Sequence, residues 1–252
     1  MSAPEAVLRV EDVAVTFGGN VVLDGVSLSV PIGFMGLIGP NGAGKTTLLN
    51  VVSGYVAPTA GRVLLSGTPT AGLRPHQAAR RGLARTFQTP KLVRELTVLE
   101  NVMLGVDGRA GWLRGGRSSG VVARADELLQ RFSLGAWRDR DAGSLPLSSQ
   151  KVVEVIRALV AEPVVILLDE PAAGLGADDV ERLIEPLRLH AEDHRLAILI
   201  IEHDIELIAR LCSDVAVLNF GKVIAEGTPS HVLQQPEVVN AYLGAGFAAA
   251  VG

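Results

Sequence analysis

The segment from Gly39 to Thr47 constrains the fold of this chain more than any other stretch, because it has the pattern G-x-x-x-x-G-K-T. A short apolar run from Phe34 to Ile38 precedes it, and a helical apolar pattern follows it. Strand, glycine-rich loop and helix in this order predict a loop whose backbone N–H groups wrap phosphate. Lys45 would neutralise phosphate charge, and Thr46 would place its hydroxyl on a magnesium ion. An ordinary turn before a helix is the alternative, and both flanks favour the phosphate loop.

Composition and charge narrow the class of protein and its partners. The 252 residues are 48% hydrophobic and 20% charged, which predicts a packed globular domain, with room for an inserted subdomain. The net charge of −4 does not favour nucleic acid as the main partner. No apolar run approaches the roughly 20 residues of a membrane-spanning helix, and the first residues do not resemble a secretion signal. Cys212 is the only cysteine, so neither an intrachain disulfide nor a cysteine-built metal site is expected. We therefore expect a cytoplasmic protein that reaches a membrane through a partner.

The first part of the chain has the pattern of half-buried strands. Apolar and polar residues alternate from 7 to 35, and Gly18 to Asn20 has the composition of a turn between two strands. A further strand is predicted from Arg62 to Leu65. These segments predict a small antiparallel sheet beside the phosphate loop. Near the other end, residues 215–226 predict a hairpin that turns at 219–222.

Helical patterns dominate from about residue 88 to residue 160. Thr97 precedes an apolar run, and Glu100 is placed to complete a capping box with it. Further helices are predicted from Val122 to Phe132 and from about 150 to 161. Residues 105–121 are rich in Gly, Arg and Ser, which predicts a surface loop between helices.

Two continuous apolar runs, Val164 to Leu168 and Leu196 to Ile201, predict buried parallel strands that end in polar residues. Ligands of open α/β sheets bind at the carboxyl ends of strands. Asp169 would there hold magnesium, and Glu170 would polarise an attacking water. His203 would hydrogen-bond a γ-phosphate oxygen and Glu170. Alternatively, the two carboxylates cap the next helix and His203 is a surface residue.

Two other side chains have ordinary and functional interpretations. Gln88 stands where the strand-rich part passes into the helical part, and there it would reach the metal or the water. Without further context, it is a surface glutamine. Phe17, at the end of a predicted strand, would either stack on adenine or simply pack.

Taken together, the order and spacing of these features resemble the ATP-binding subunits of ABC transporters over nearly the whole chain. The resemblance implies ATP and Mg²⁺ as cofactors, with magnesium held by Thr46, Gln88 and Asp169. It assigns catalysis to Glu170, His203 and Gln88. ATP binding is assigned to the aromatic ring and phosphate-loop residues Phe17, Gly39, Asn41, Gly42, Ala43, Gly44, Lys45, Thr46 and Thr47.

Finer motifs resemble importers of branched-chain amino acids. These motifs are Arg85 to Gln88, Glu95 to Val102, Glu170 to Leu175, Ile201 to Asp204 and Glu237 to Gly244. The resemblance implies a subunit that powers import of such amino acids or a related small polar solute. Related urea and amide importers and the lipopolysaccharide-export ATPase share part of these motifs. The implied partners are a transmembrane permease, a second ABC ATPase subunit and a solute-binding protein, with the chain on the inner face of the membrane.

The chain departs from the family pattern at two places. The slot that holds L-S-G-G-Q in family members has Leu145, Pro146, Leu147, Ser148 and Ser149 here. In the family this signature segment closes over the ATP of the opposite subunit. Pro146 has neither an N–H group nor a hydroxyl, and the side chains at 147 and 148 obstruct close approach of the backbone. The second departure is Gly176, where the family often has Asp.

These departures favour a heterodimer in which this chain binds ATP but contributes a poor signature segment to the ATP site of its partner. The alternatives are that Ser148 and Ser149 still cap the helix and supply enough donors, or that hydrolysis is impaired. A soluble ABC ATPase acting on DNA or ribosomes would need a long coiled-coil insertion or a basic tail, which the sequence lacks.

The resemblance also predicts the architecture. We expect an α/β P-loop NTPase fold of the ABC ATPase type, with an antiparallel β-subdomain and an inserted α-helical subdomain. A single ATP-binding domain would span residues 1–252, with the helical subdomain at 88–160 and a C-terminal helix and tail at 231–252.

Overall fold

The chain forms two compact units in the computed structural model, which describes residues 6–70, 72–106 and 119–244. The first unit comprises residues 1–78 and 197–252, and the second comprises residues 79–196. Most of the surface loop predicted at 105–121 falls on residues 107–118, outside the described residues, as does the tail beyond residue 244.

Short strands and helices alternate along the described residues. The strands are β1 (Leu8–Phe17), β2 (Asn20–Val30), β3 (Gly33–Ile38), β4 (Ala60–Leu65), β5 (Thr68–Pro69), β6 (Leu83–Arg85), β7 (Val165–Asp169), β8 (Ala197–Ile201), β9 (Asp214–Asn219) and β10 (Lys222–Gly227). The helices are α1 (Lys45–Val52), α2 (Pro75–Arg80), α3 (Val98–Met103), α4 (Ser119–Arg131), α5 (Leu147–Leu159), α6 (Ala177–His194), α7 (Ile205–Leu211), α8 (Pro229–Val232) and α9 (Pro236–Gly244). Single 3-10 turns occur at Leu104–Val106, Gly135–Trp137 and Ala142–Ser144.

The alternating pattern at the start of the first unit folds into an antiparallel sheet of order β2-β1-β4-β5, as predicted. On β1 the buried residues form two pairs, Leu8 with Val10 and Val13 with Val15, and the residues between them are more exposed. Each pair has the two-residue period of a strand with one face in the core, and a register shift between Val10 and Val13 separates the pairs. A two-residue turn at 18–19 joins β1 to β2, close to the predicted position.

The second sheet of the first unit contains the strand that leads into the phosphate loop. Its strands have the order β10-β9-β3-β8, and β3 pairs in parallel with both β8 and β9. β3 therefore has a neighbour on each side, which is consistent with its continuous apolar run. The predicted hairpin is confirmed, because β9 and β10 pair antiparallel around a turn at Phe220 and Gly221.

The second unit contains the parallel pair β6 and β7 and the helices α3 to α6. The predicted capping box at the start of α3 is confirmed, since the Thr97 hydroxyl accepts from the Glu100 N–H at 3.2 Å. The Glu100 carboxylate in turn accepts from the Thr97 N–H at 2.9 Å. Among the helices of residues 6–70, 72–106 and 119–244, none has the length and apolar character needed to cross a membrane.

His190 is a buried titratable group on α6, with only 8% of its surface exposed. Burial, together with the positive charges of His194 and Arg131, lowers the pKa of His190 to about 4. Asp193 acts in the opposite direction. The His194 ring stacks on the His190 ring, with 4.0 Å between the ring centroids. The folded chain therefore keeps this imidazole neutral under mildly acidic conditions.

We predict that His190 makes the protein less stable as the pH falls. The folded pKa is below the ordinary value of 6.5, so the unfolded chain gains the proton first and stability declines from pH 6.5 towards pH 4. At pH 5 the loss is about 2 kcal/mol. The measurement is the free energy of unfolding in urea at pH 7 and at pH 5. Between these two pH values, His190→Gln should lose about 2 kcal/mol less than the native chain. The exposed His231→Gln is the control and should keep the native pH dependence. An undiminished pH dependence in His190→Gln would contradict the prediction.

Candidate functional site

The phosphate loop of the first unit lies between β3 and α1. Gly44 is the N-cap of α1 in the left-handed conformation, and no side chain caps the helix. The first turn of α1 also contains no acidic residue. The N–H groups of a helix start carry partial positive charge and attract anions when no side chain caps them. The local structure therefore suits a phosphate group at this helix start.

Two glycines of the loop have conformations and surroundings that exclude a side chain. Gly39 has φ of 146°, and a Cβ atom there would lie 2.0 Å from the carbonyl oxygen of Leu218. Gly44 has φ of 108°, and a Cβ atom there would lie 2.8 Å from the Leu23 side chain. The backbone can follow this path only with glycine at both positions, which explains their spacing in the motif.

Lys45 is buried at the start of α1, and its Nζ atom donates to the loop's own backbone. The acceptors are the carbonyl oxygens of Gly39 at 2.6 Å and Pro40 at 3.0 Å. Thr46 and Asn41 are exposed beside it. The positive charge thus lies within the loop whose N–H groups would face the phosphates, as the motif predicts.

His203 follows the carboxyl end of β8, at the same sheet edge as the phosphate loop. The parallel register of β3 and β8 pairs Leu37 with Ile201, so the segments that follow both strands leave the sheet side by side. His203 is exposed, and its N–H donates to the buried Glu202 carboxylate at 3.3 Å. Within this unit, His203 therefore lies at the sheet edge from which the phosphate loop starts.

Two aromatic residues of the first unit are relevant to the site, one at the end of an antiparallel strand and one beside the phosphate loop. Phe17 ends β1 with 50% of its surface exposed, so core packing alone does not account for it. Tyr242 on α9 was not predicted as a site residue. Burial raises the pKa of Tyr242 to about 12, and a hydrogen bond to the backbone of Gly39 opposes that shift. Only the folded chain reveals this contact, because about 200 residues separate the two partners.

In the second unit, the structure brings together two predicted site residues, Gln88 and Glu170. The Gln88 Nε2 atom donates to the Glu170 Oε2 atom at 2.6 Å. Glu170 immediately follows β7 and has φ of 51°, a left-handed conformation that is unusual for a residue with a side chain. Such conformations cost about 1–3 kcal/mol and occur frequently at functional sites.

Asp169, the last residue of β7, is buried and forms an ion pair with Arg85 at 3.2 Å. Arg85 lies on the adjacent strand β6, whose register pairs it with Leu167. The sequence indicates Arg85 only as part of a motif, without this role. The N-cap of α6 is Gly176, with no side-chain cap. The alternative that Asp169 and Glu170 cap the next helix is therefore wrong.

The degenerate signature segment at 145–149 leads into α5. Pro146 is the N-cap of this helix and no side chain caps it. Ser148 and Ser149 lie inside the first turn, so the alternative that they cap the helix is wrong. Leu147 begins the helix with 50% of its surface exposed. A backbone N–H is lacking at 146, and side chains occupy 147 and 148, as the sequence indicated.

Helix α5 also holds the loop that carries Gln88. The buried Glu154 carboxylate accepts from the N–H groups of Phe87 at 3.3 Å and Lys91 at 3.0 Å. Arg157 donates to Glu154 at 3.1 Å and to the carbonyl oxygen of Lys91. Burial raises the pKa of Glu154, while these hydrogen bonds and the Arg157 charge lower it. The loop on either side of Gln88 is thus fixed to the helix by buried charged groups.

Comparison with known proteins identifies relatives over nearly the full length. Residues 23–173 match the family model described as ABC transporter, and residues 222–248 match the model described as branched-chain amino acid ATP-binding cassette transporter. The chain is 35% identical over 260 residues to the high-affinity branched-chain amino acid transport ATP-binding protein BraF of Pseudomonas aeruginosa, covering 97% of this chain and 99% of that protein. It is 36% identical over 258 residues to the protein LivG of Escherichia coli K12, which has the same description, with the same coverage.

Solved structures of ATP-binding cassettes from ABC transporters have the same fold. One nucleotide-free cassette superposes with a TM-score of 0.85 at 32% identity and covers 94% of this chain and 98% of its own. A cassette in its ADP conformation gives a TM-score of 0.86 at 32% identity, covering 95% and 99%. The predicted fold class, an α/β P-loop fold of the ABC ATPase type, is confirmed.

Proposed function

The chain belongs to the ABC transporter ATP-binding family, and we propose that its ATP hydrolysis drives import of branched-chain amino acids or a related small polar solute. The relatives described as branched-chain amino acid transport proteins support this class of substrate. The match of residues 222–248 to the model described as branched-chain amino acid ATP-binding cassette transporter also supports it. The observation that carries the hydrolytic assignment is the hydrogen bond between Gln88 and Glu170 at the end of β7.

ATP would bind along the phosphate loop of the first unit. The β- and γ-phosphates would accept hydrogen bonds from the backbone N–H groups of residues 41–47, and Lys45 would neutralise part of their charge. Phe17, with half of its surface exposed, would stack on the adenine. His203, at the same sheet edge, would hydrogen-bond the γ-phosphate.

Magnesium would enter with ATP as part of the substrate. Thr46, Gln88 and Asp169 offer a hydroxyl, an amide and a carboxylate oxygen, and oxygen ligands suit this cation. Arg85 would hold the Asp169 carboxylate in place through its ion pair. When bound, magnesium neutralises charge on the β- and γ-phosphate oxygens.

Hydrolysis would use Glu170 as the group that polarises water. Water attacks the γ-phosphorus, the bond to the oxygen that bridges to ADP breaks, and the Glu170 carboxylate accepts the water's proton. Gln88 orients that carboxylate through its amide nitrogen, and it would report occupancy of the site to the helical region.

The composite ATP site would require partners. ABC ATPase subunits work as dimers with membrane permease subunits, and we propose that this chain pairs with a second ATPase subunit on the cytoplasmic face. The inserted helical subdomain at 88–160 would dock on the permease near residues 88–105. A solute-binding protein would complete the import system.

A heterodimer is favoured by the start of α5. With Pro146 as an uncapped N-cap and a side chain at 147, this segment offers fewer donors to a partner's γ-phosphate than L-S-G-G-Q does. The site that uses this chain's phosphate loop and the partner's signature segment would then hydrolyse ATP. The other site would hold ATP with impaired hydrolysis.

We predict that Glu170→Gln retains ATP binding and lowers ATP hydrolysis about 100-fold or more, because the amide cannot accept the water's proton. The measurement is steady-state ATPase activity of the complex with its permease, together with ATP affinity by equilibrium titration. Glu127→Gln, an exposed change on α4, is the matched control and should hydrolyse ATP normally. Unaltered hydrolysis in Glu170→Gln would exclude this residue as the catalytic carboxylate.

We also predict that restoring the signature segment increases hydrolysis by the chain as a homodimer. The triple change Pro146→Ser, Leu147→Gly and Ser148→Gly returns an N–H group, a hydroxyl and close backbone approach, and should raise the rate about 10-fold or more. Adding Glu170→Gln to this variant should abolish the gain, which would show that it arises from the composite site. A restored segment without a rate increase would mean that the native segment does not limit hydrolysis.

A further inference from the structure

Lys151 is a buried charged residue in the second turn of α5, with 5% of its surface exposed. Its Nζ atom donates to three backbone carbonyl oxygens of one turn, the turn that follows β7. The acceptors are Glu170 at 3.1 Å, Pro171 at 3.1 Å and Ala173 at 2.7 Å. An ammonium group has three N–H bonds, so these three carbonyls match its donor number.

The energetics of this contact indicate more than core filling. Burying an ammonium group costs free energy unless it is hydrogen-bonded, and a methionine of similar length would fill the space without that cost. The turn that it holds contains Glu170 in the left-handed conformation with φ of 51°. Such a conformation persists only when surrounding contacts hold it. Lys151 supplies one of these contacts, because it donates to the carbonyl oxygen of Glu170 itself, which also accepts from the Ala173 N–H at 3.2 Å.

We propose that Lys151 is a positioning residue for Glu170, a role that rests on the proposed hydrolysis of ATP. Lys151 fixes the backbone of the turn on one side, and Gln88 holds the Glu170 carboxylate on the other. Since α5 begins at the signature segment, Lys151 also links the segment that would serve the partner's ATP to the turn that would serve this chain's own ATP. A displacement of α5 would thereby move the Glu170 carboxylate.

The test is Lys151→Met in the full chain with its permease. Removing the three donors should lower kcat about 10- to 100-fold through misplacement of Glu170, while ATP affinity stays within about twofold. Amide hydrogen exchange of residues 172–175 should become about 10-fold faster or more, because the turn loses its anchor. Lys151→Arg keeps a buried cation with several donors, and it should recover part of the rate and of the exchange protection.

Arg182→Met is the control, since Arg182 is an exposed cation on α6 in the same unit. This variant should change neither kcat nor the amide hydrogen exchange of residues 172–175. If Lys151→Met does not fold, Lys151→Gln replaces it with the same readouts. An unchanged kcat would overturn the proposal, as would a lower kcat with native exchange in the turn. If the native complex hydrolyses no ATP, the proposed function fails, while exchange in the turn still decides whether Lys151 holds it.

Discussion

Buried charged side chains on α5 hold the two loops that contain Gln88 and Glu170. Gln88 and Glu170 both lie in segments without regular secondary structure, so no backbone ladder fixes them. Lys151 donates to the turn that contains Glu170, and Glu154 accepts from the loop that contains Gln88. Two short loops, distant in sequence, are thus attached to one helix. The carboxylate that we propose to polarise water needs a fixed position, and these contacts contribute to it.

The phosphate loop depends on a different constraint, which is backbone conformation. Gly39 and Gly44 give the loop a path that no other residue can follow without collision. The parallel neighbours of β3 bring His203 to the same sheet edge. Phosphate binding would therefore depend on the strand order and on the loop glycines. The position of the Glu170 carboxylate depends instead on the buried charged side chains of α5. A chain can keep both and still have a poor signature segment, since under our proposal that segment would act on the partner's nucleotide.

The sequence predicted those parts of the molecule whose determinants are local. The phosphate loop, the capping box of Thr97 and Glu100 and the buried strands follow from residue spacing over a few positions. Other contacts join segments 19 to 84 residues apart, such as those of Lys151 with 170–173 and of Arg85 with Asp169. No local sequence pattern indicates such contacts. The interpretation of Ser148 and Ser149 as caps failed because Pro146 already occupies the N-cap position.

The central claim is that the hydrolysing site contains this chain's phosphate loop. The most direct test compares two heterodimers, each with one phosphate-loop lysine replaced by alanine, in the complex with the permease. Lys45→Ala in this chain should abolish ATP hydrolysis, because its site is completed by the partner's intact signature segment. Replacing the partner's corresponding lysine should leave most of the hydrolysis. The opposite result, with hydrolysis surviving Lys45→Ala and lost from the partner's variant, would contradict the account.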